Sequence, residues 1–395
     1  MEHEAQRQSG LPVDIIVPVF NQAPFVETLL DSIKFARSAT AAEIIVIDDG
    51  SSEPETLELL RTRAATGEIT LLRNPQNMGF TRTVNRGMAL HRDRDVLLLN
   101  SDTMVHGDWL DRMTTCAYSA PRIATVNPLT SQFGSHIGCY PGLAMKFDDA
   151  LEVDGAELAA ICAEANRGQV ADVHTTVGFC MYIRRAALDE VGLFDEKHFP
   201  IGYGEESDFC YRARKVGWLH RIAGDAYVDH FEGKSFGDRK KKLVDNMLAS
   251  FSRLHPDLAQ CDRNFAMRDP VRPLRRQIDI GRLKRLLAGA TQIPARMTPN
   301  SPADGIALQL DASRKSAHFV SPLPGGSLPN IGEFKLPRDI LAFNQTIAAL
   351  GVTRIVCADQ AAWNALDLMV SGLPYEVGLA AKSFLVGQPE MAKAN

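Results

Sequence analysis

The 395-residue chain has no apolar run near the roughly 18 residues that a membrane-spanning helix needs. Its first stretch, Met1 to Gly10, lacks the apolar core of a secretory signal. Seven cysteines (116, 139, 162, 180, 210, 261 and 357) are scattered, odd in number and never in C-x-x-C spacing. That pattern predicts reduced cytosolic thiols and argues against a disulfide framework or a zinc site. No large excess of charge is present: 43 Lys and Arg face 48 Asp and Glu, a net −5 that offers nucleic acid no global attraction. No G-x-G-x-x-G follows the first apolar run and no G-x-x-x-x-G-K-S/T occurs, so dehydrogenase and P-loop readings lose their main support. The expectation is a cytoplasmic protein with no nucleic-acid partner, touching a membrane at most peripherally, at its inner face.

What is present is 45% apolar residues, ample for a packed core, over a length that predicts two domains. From residue 13 to 126 short apolar runs alternate with helical patterns, the signature of a doubly wound α/β sheet. Strands are expected at Val13–Val17, Glu43–Ile47, Ile69–Leu72, Val96–Leu99 and Ile123–Val126. Amphipathic helices are expected at Phe25–Ala36, Pro54–Ala64, Phe80–Leu90 and Trp109–Ala117. The run Val96–Leu99 has no polar alternation, which suits a strand covered on both faces. It ends in Asn100-Ser101-Asp102, and ligands in such sheets gather beyond the carboxyl ends of the strands. Two hard oxygen ligands one residue apart can share a divalent cation completed by phosphate and water. The plain alternative is a polar turn capping the helix near Trp109.

Pro18 cannot donate to a ladder, so the first strand is expected to end there and release Val19, Phe20 and Asn21 into the crevice. The second ends in Asp48-Asp49-Gly50-Ser51-Ser52, where an acidic side chain can bond a nucleobase or ribose, or cap a turn. Arg73-Asn74, Asn77-Met78-Gly79-Phe80 and Asn85-Arg86-Gly87 follow before Asn100-Ser101-Asp102. In this order the motifs resemble the family 2 glycosyltransferases of the GT-A fold, particularly rhamnosyltransferase-like members, over residues 12–255. The resemblance implies a Rossmann-like, doubly wound mixed sheet. It implies that Pro18, Phe20, Asn21, Asp48, Asp49, Asn77, Gly79, Asn85, Asn100 and Ser101 bind a nucleoside-diphosphate sugar. It also implies Mn2+ or Mg2+ on the diphosphate, held by Asp102 and Asn100. Asparagine stands at 100 where many members have aspartate, so Asp102 should carry most of the metal binding.

Farther on, Thr130 to Gly142 has loop composition and reads as a cover over donor or acceptor. A helix is expected at Gly155–Asn166, one long strand through Val173–Ile183, and a turn at Val191–Glu196. Gly204-Glu205-Glu206-Ser207-Asp208 opens a helix whose dipole favours carboxylates in the first turn. Glu205 and Asp208 share a face, and Glu206 projects about 100° away. By resemblance this is the acidic motif of the acceptor site, with Glu206, Glu205 and Asp208 catalytic and Glu206 the base, one methylene longer than the usual aspartate. The resemblance further implies His230 as a metal ligand, a role that suits neutral imidazole; Lys234 could contact phosphate.

Asp238–Leu254 reads as a helix with a basic start, Arg239-Lys240-Lys241-Lys242. Arg268, Arg272, Arg275, Arg276, Arg282, Lys284 and Arg285 form a solvated face or a contact for anionic lipid. Pro294, Pro299 and Pro302 mark a linker. The expected organisation is a disordered 1–11, a GT-A domain at 12–255, a basic, Pro-containing helical and linker segment at 256–305, and an α/β module at 306–395 too short to close a full sheet. Pro324-Gly325-Gly326, Leu350–Ile355 and Gly372–Tyr375 are similar to the start of a GT-B domain, truncated or degenerate. The function implied is inverting, metal-dependent sugar transfer to a glycan or lipid-linked glycan in surface polysaccharide synthesis. Its rivals are a sugar nucleotidyltransferase, which lacks here its glycine-rich loop after the first strand, and a catalytically weak nucleotide-sugar-binding module.

Overall fold

The structure, a computed structural model, describes residues 10–130, 137–140, 142, 151, 153–231, 249–251, 253–297, 306–320, 328, 330–336, 338–357 and 360–370. The chain divides into two compact units, residues 1–143 with 155–274 and residues 144–154 with 275–395. In the first, the strands are β1 (Val13–Val19), β2 (Ala42–Asp48), β3 (Thr70–Arg73), β4 (Asp95–Leu99), β5 (Thr103–Val105), β6 (Ile123–Leu129), β7 (Val170–Val173), β8 (Cys180–Ile183) and β9 (Leu219–His230). The helices are α1 (Ala23–Phe35), α2 (Pro54–Ala65), α3 (Phe80–Met88), α4 (Trp109–Ala117), α5 (Gly155–Ala165), α6 (Arg185–Val191) and α7 (Glu205–Lys215), followed by Leu258–Arg268 and the start of Arg272–Leu287.

Apolar runs without alternation become strands buried on both faces. Ile15 and Val17 of β1 and Leu97 and Leu99 of β4 enter one core with Leu29 and Leu30 of α1 and Trp109 and Met113 of α4. Ile16, Val96 and Leu98 enter the other, with Val84 and Met88 of α3 and Phe209 of α7. The sheet order is β3-β2-β1-β4-β8-β6-β9-β5, with β7 also on β9. Strands β1, β2, β3 and β4 are parallel. β8 runs antiparallel to both β4 and β6, and β9 is parallel to β6. β9 therefore points the same way as β4, and the residues ending β1, β2, β4 and β9 emerge at one edge. This is the mixed α/β architecture expected.

Two local expectations are corrected. β1 continues through Pro18 to Val19. The carbonyl of Val19 accepts from Asp49 N (2.7 Å), on the β2 side. Alternation then turns the nitrogen of Pro18 toward β4, where pairing stops at Ile16, so the missing donor costs the ladder nothing. The strand expected over Val173–Ile183 is two strands in different places of the sheet. Asn127 on β6 brackets the break: its amide nitrogen donates to Val177 O and Cys180 O, and its oxygen accepts from Val177 N. Of the cover at Thr130–Gly142, Ile137, Cys139 and Tyr140 are buried. Residues 131–136 and 141, like Lys234 and the basic run 239–242, lie outside the described residues.

The second unit contains β10 (Gln292–Arg296), β11 (Ala307–Asp311), β12 (Ser316–Val320), β13 (Glu333–Lys335) and β14 (Arg354–Cys357), ordered β13-β12-β11-β10-β14. With helices Ile340–Ala349 and Gln360–Val370 they enclose a core that includes Ile293, Leu308, Phe334, Phe343 and Ile355. Four of the five strands lie within residues 306–395, and β10 comes from the segment before them. Pro294 lies in β10 and not in a linker, opposite Val356 and one step before pairing with β11 begins at Ala295. Arg275 and Arg282, read as part of an exposed basic face, are buried, with Arg282 3.6 Å from Asp279. Among the described residues no helix is long and apolar enough to cross a membrane.

Asn127→Leu removes the bracket between β7 and β8 and leaves two carbonyls and one amide without their partner. The expected loss is at least about 2 kcal/mol of unfolding free energy, read from urea titration.

Candidate active site

The tips of β1 and β2 are tied together by the side chains expected to meet a ligand. Asn21, at φ 60°, accepts on Oδ1 from the amides of Ser52 (2.9 Å) and Glu53 (3.2 Å), while its own N–H donates to Ser51 Oγ (2.8 Å). It therefore caps the start of α2 from across the crevice edge. Asp49 is buried, accepting from Asn74 Nδ2 (2.7 Å), Met78 N (2.8 Å) and Gly79 N (3.0 Å). Its carboxylate holds the 74–79 turn. Gly79 also donates to Asn77 Oδ1 (3.1 Å), and its φ of 86° and proximity to Pro200 O leave no room for a side chain. Asn85 is engaged by the 194–196 segment: both its amide hydrogens go to Phe194 O (2.9 Å) and Glu196 Oε1 (2.8 Å), and its oxygen accepts from Phe194 N (3.1 Å).

Asp48 is reached through an intermediary. It is 2% exposed and accepts from Ser51 N (2.8 Å), and Arg73 Nε lies 3.1 Å from its Oδ2. Arg73 itself is 50% exposed. The guanidinium is the surface that Asp48 supports, a role the sequence marked only by the presence of Arg73 in a motif. Phe20 is exposed and Pro18 half-buried at the same edge.

Asn100, Ser101 and Asp102 form the half-buried turn between β4 and β5. Asn100 N donates to Phe179 O (2.8 Å), and Thr103 Oγ1 donates to Asn100 O (2.7 Å). β5 then pairs antiparallel with the end of β9, setting Thr103 opposite His230. This brings His230 Nε2 to 3.3 Å from Asp102 Oδ1. The spacing is wider than a charge-assisted hydrogen bond. It fits two cis ligands of one octahedral cation, whose donor atoms stand roughly 3 Å apart at Mg2+ bond lengths. The His230 ring stacks on Phe179 (centroids 5.0 Å, 13° between planes), and its Nδ1 is buried without a partner among the described residues. Phe179 went unread because an aromatic inside an apolar run carries no separate signal.

The chain from β7 to β8 joins this pair to α7: Thr175 Oγ1 lies 3.4 Å from Ser207 Oγ at one end, and Phe179 meets His230 at the other. In α7 the three carboxylates separate. Asp208 is buried between Arg212 Nε (2.7 Å) and His255 Nε2 (2.8 Å), so it is no free acid. Glu205 is 3% exposed, with Oε2 unpartnered among the described residues. Burial pushes its carboxyl well above the ordinary 4.5, and the charge of Glu206 adds to the shift. Glu206, half-buried, is raised too, again chiefly by burial, while Gly204 N (3.2 Å) and the Glu205 carboxyl favour its charged form.

A second acidic cluster, Asp14, Glu43 and His91, has ligand atoms within 4.8 Å of one another. It sits at the opposite edge of the sheet, near the starts of β1 and β2. Arg94 already neutralises it, with Nη1 3.0 Å from Asp14 Oδ1 and bonded to Glu43.

Residues 14–192 match the family model Glycosyl transferase family 2. The match runs from β1 through α6 and stops before α7 and His230. Among curated proteins the chain is similar to the uncharacterized protein y4gI of Sinorhizobium fredii, 26% identical over 58% of this chain and 25% of that one. It is also similar to the N-acetylglucosaminyl-diphospho-decaprenol L-rhamnosyltransferase of Mycobacterium tuberculosis, 23% identical over 56% of this chain and 77% of the relative. The chain thus spans a quarter of the first relative and about three quarters of the second. Among solved structures, the mannosyltransferase PcManGT from Pyrobaculum calidifontis, in complex with GDP-Man and Mn2+, is similar at 15% identity with a TM-score of 0.44, over 72% of this chain and 76% of that one.

Because the folded-state value of Glu205 lies above the unfolded 4.5, its neutral form stabilises the fold fully at low pH, and that contribution is lost as pH rises toward the folded value. Glu205→Gln stays neutral throughout. Its gain in Tm over wild type should therefore grow from about pH 4 to about pH 8, in melts at the two extremes.

Proposed function

We propose that this chain is an inverting, metal-assisted glycosyltransferase that moves a sugar from a nucleoside-diphosphate donor to a glycan or lipid-linked glycan in surface polysaccharide synthesis. The observation that carries the reading is the meeting of Asp102 and His230 at the edge where β1, β2 and β4 also end. The family match over residues 14–192 supports transfer from an activated sugar. The rhamnosyltransferase relative supports rhamnose as donor sugar and a lipid-diphosphate sugar as acceptor, which would place the enzyme at the inner membrane face.

Asp102 and His230 would hold Mn2+ or Mg2+, which offsets charge on the departing diphosphate. Asn100 and Ser101 sit in the same turn and would meet the phosphates. Arg73, braced by Asp48, faces the nucleotide. Glu206 takes the proton from the acceptor hydroxyl; a carboxylate raised by burial is a stronger base than one in water. One base and one displacement invert the anomeric centre. Residues 306–395 would serve as a GT-B-like packing or docking module, a reading supported by β14 lying parallel beside β10 ahead of a helix.

Calorimetry with a panel of nucleotide sugars should show selective, Mn2+-dependent binding that Asp102→Ala weakens at least about tenfold. Absence of binding by any nucleotide would leave a non-catalytic interaction protein as the better account. With a competent acceptor, Glu206→Gln should lower kcat about 100-fold or more. The wild-type profile should rise with pH along an acid limb above 4.5. NMR of the product should show the inverted anomer; retention refutes the single-base mechanism.

A further inference from the structure

The start of α7 has no N-cap side chain to anchor it. Its N-cap is Gly204, at φ 106°, with no side-chain cap, and its first turn carries Glu205, Glu206 and Asp208. The helix dipole favours acidic side chains there but does not fix where the turn sits. Something else must hold the turn. Asp208, 2% exposed, accepts from His255 Nε2 on Oδ1 (2.8 Å) and from Arg212 Nε on Oδ2 (2.7 Å). Arg212 continues the tie, its two terminal nitrogens donating to Val191 O (2.8 Å) and Leu193 O (2.9 Å).

His255 comes from a segment well beyond α7. Its ring is buried against Tyr211 (centroids 5.0 Å) and Phe251 (5.7 Å). Nδ1 is buried without a partner among the described residues. Nε2 therefore carries the ring proton and points it at Asp208. Phe251, on the same segment, packs on Phe199 (5.2 Å), which leads into the loop that approaches Gly204 and accepts from Phe80 N at Ile201 O (3.1 Å).

We infer that His255 is a positioning residue for Glu206: through Asp208, and together with Arg212, it clamps the uncapped first turn of α7 so that Glu206 is held toward the acceptor. The inference rests on the reading of Glu206 as base. It gives Asp208 the part of an anchor. The two carboxylates sit two residues apart in the same turn of helix, so a rotation or fraying that loosens Asp208 moves Glu206 with it. A displacement of about 1 Å at a reacting group can lower a rate about 100-fold.

The test compares His255→Phe, which keeps a ring without a donor, with His255→Gln, whose amide can still donate to Asp208. His255→Phe should lower kcat about 10- to 100-fold, with donor affinity unchanged, and His255→Gln should restore most of the loss. In a Glu206→Gln background the His255→Phe change should cost nothing further, because the group it positions is gone. An unchanged kcat in His255→Phe, or an equal fold-loss in both backgrounds, overturns the inference.

A second arm needs no turnover. Hydrogen exchange at residues 205–208 should be faster in His255→Phe than in wild type, with β4 unaffected; equal exchange refutes the clamp. Where His255→Phe does not fold, Asp208→Asn carries both arms. Wild type that transfers no sugar from any donor overturns the proposed function instead, and the exchange arm then decides the clamp alone.

Discussion

Everything at the crevice edge depends on where β4 stops. Its five residues are buried, and each fully buried Val or Leu side chain contributes roughly 1.5–3 kcal/mol. Because both faces are apolar, alternation cannot choose the register: a slip by one residue would exchange one apolar face for another. The polar ends choose it. Asp95 accepts from the hydroxyls of Tyr118 and Tyr182 (2.7 Å each) and from Arg185 N (2.7 Å), while Asn100 N reaches Phe179 O at the other end. A buried carboxylate shifted out of reach of three donors is costly. The strand is thereby pinned at the residue where the Asn100–Asp102 turn begins.

The motif positions fall into two groups. Asn21, Asp49, Asn85 and Asp208 direct their side chains into neighbouring backbone or side chains and hold turns in place. Asp102, His230, Glu206 and Arg73 stand where those held turns leave partly exposed charge or imidazole. A motif on a page does not separate the groups, because a carboxylate that braces a loop and one that meets a ligand use the same letters. The distinction lies in where each side chain stands in the fold, and that is a property of the folded chain.

The alternation of strands and helices up to residue 126 was legible because both faces of the sheet need apolar residues at fixed periods, and the observed elements follow it closely. The break between β7 and β8 was not, since it is made by Asn127, far away in sequence. Pro18 and Pro294 misled for one shared reason: a proline inside a strand is harmless when its nitrogen faces a side with no pairing at that step, and which side it faces is set by the neighbours. Of the proposed site, Asp102 and His230 are named by motif context, whereas the places of Arg73, Phe179 and His255 are set by tertiary contacts. Arg275 and Arg282 were read as surface charge, yet burial beside Asp279 removes Arg282 from any face at all.

Among the described residues the short strand β5 pairs only with β9. β9 is the last of the described strands of its unit to leave the ribosome, so the rung that unites Asp102 with His230 closes a long loop and belongs among the slow, non-local steps of folding. A chain interrupted before β9 would carry the turns at the ends of β1, β2 and β4 and still lack His230, one of the two groups proposed to hold a cation. On the proposed reading, cation affinity would be a property of the finished unit, and an ion bound there would draw the equilibrium toward completed chains and away from partly assembled ones.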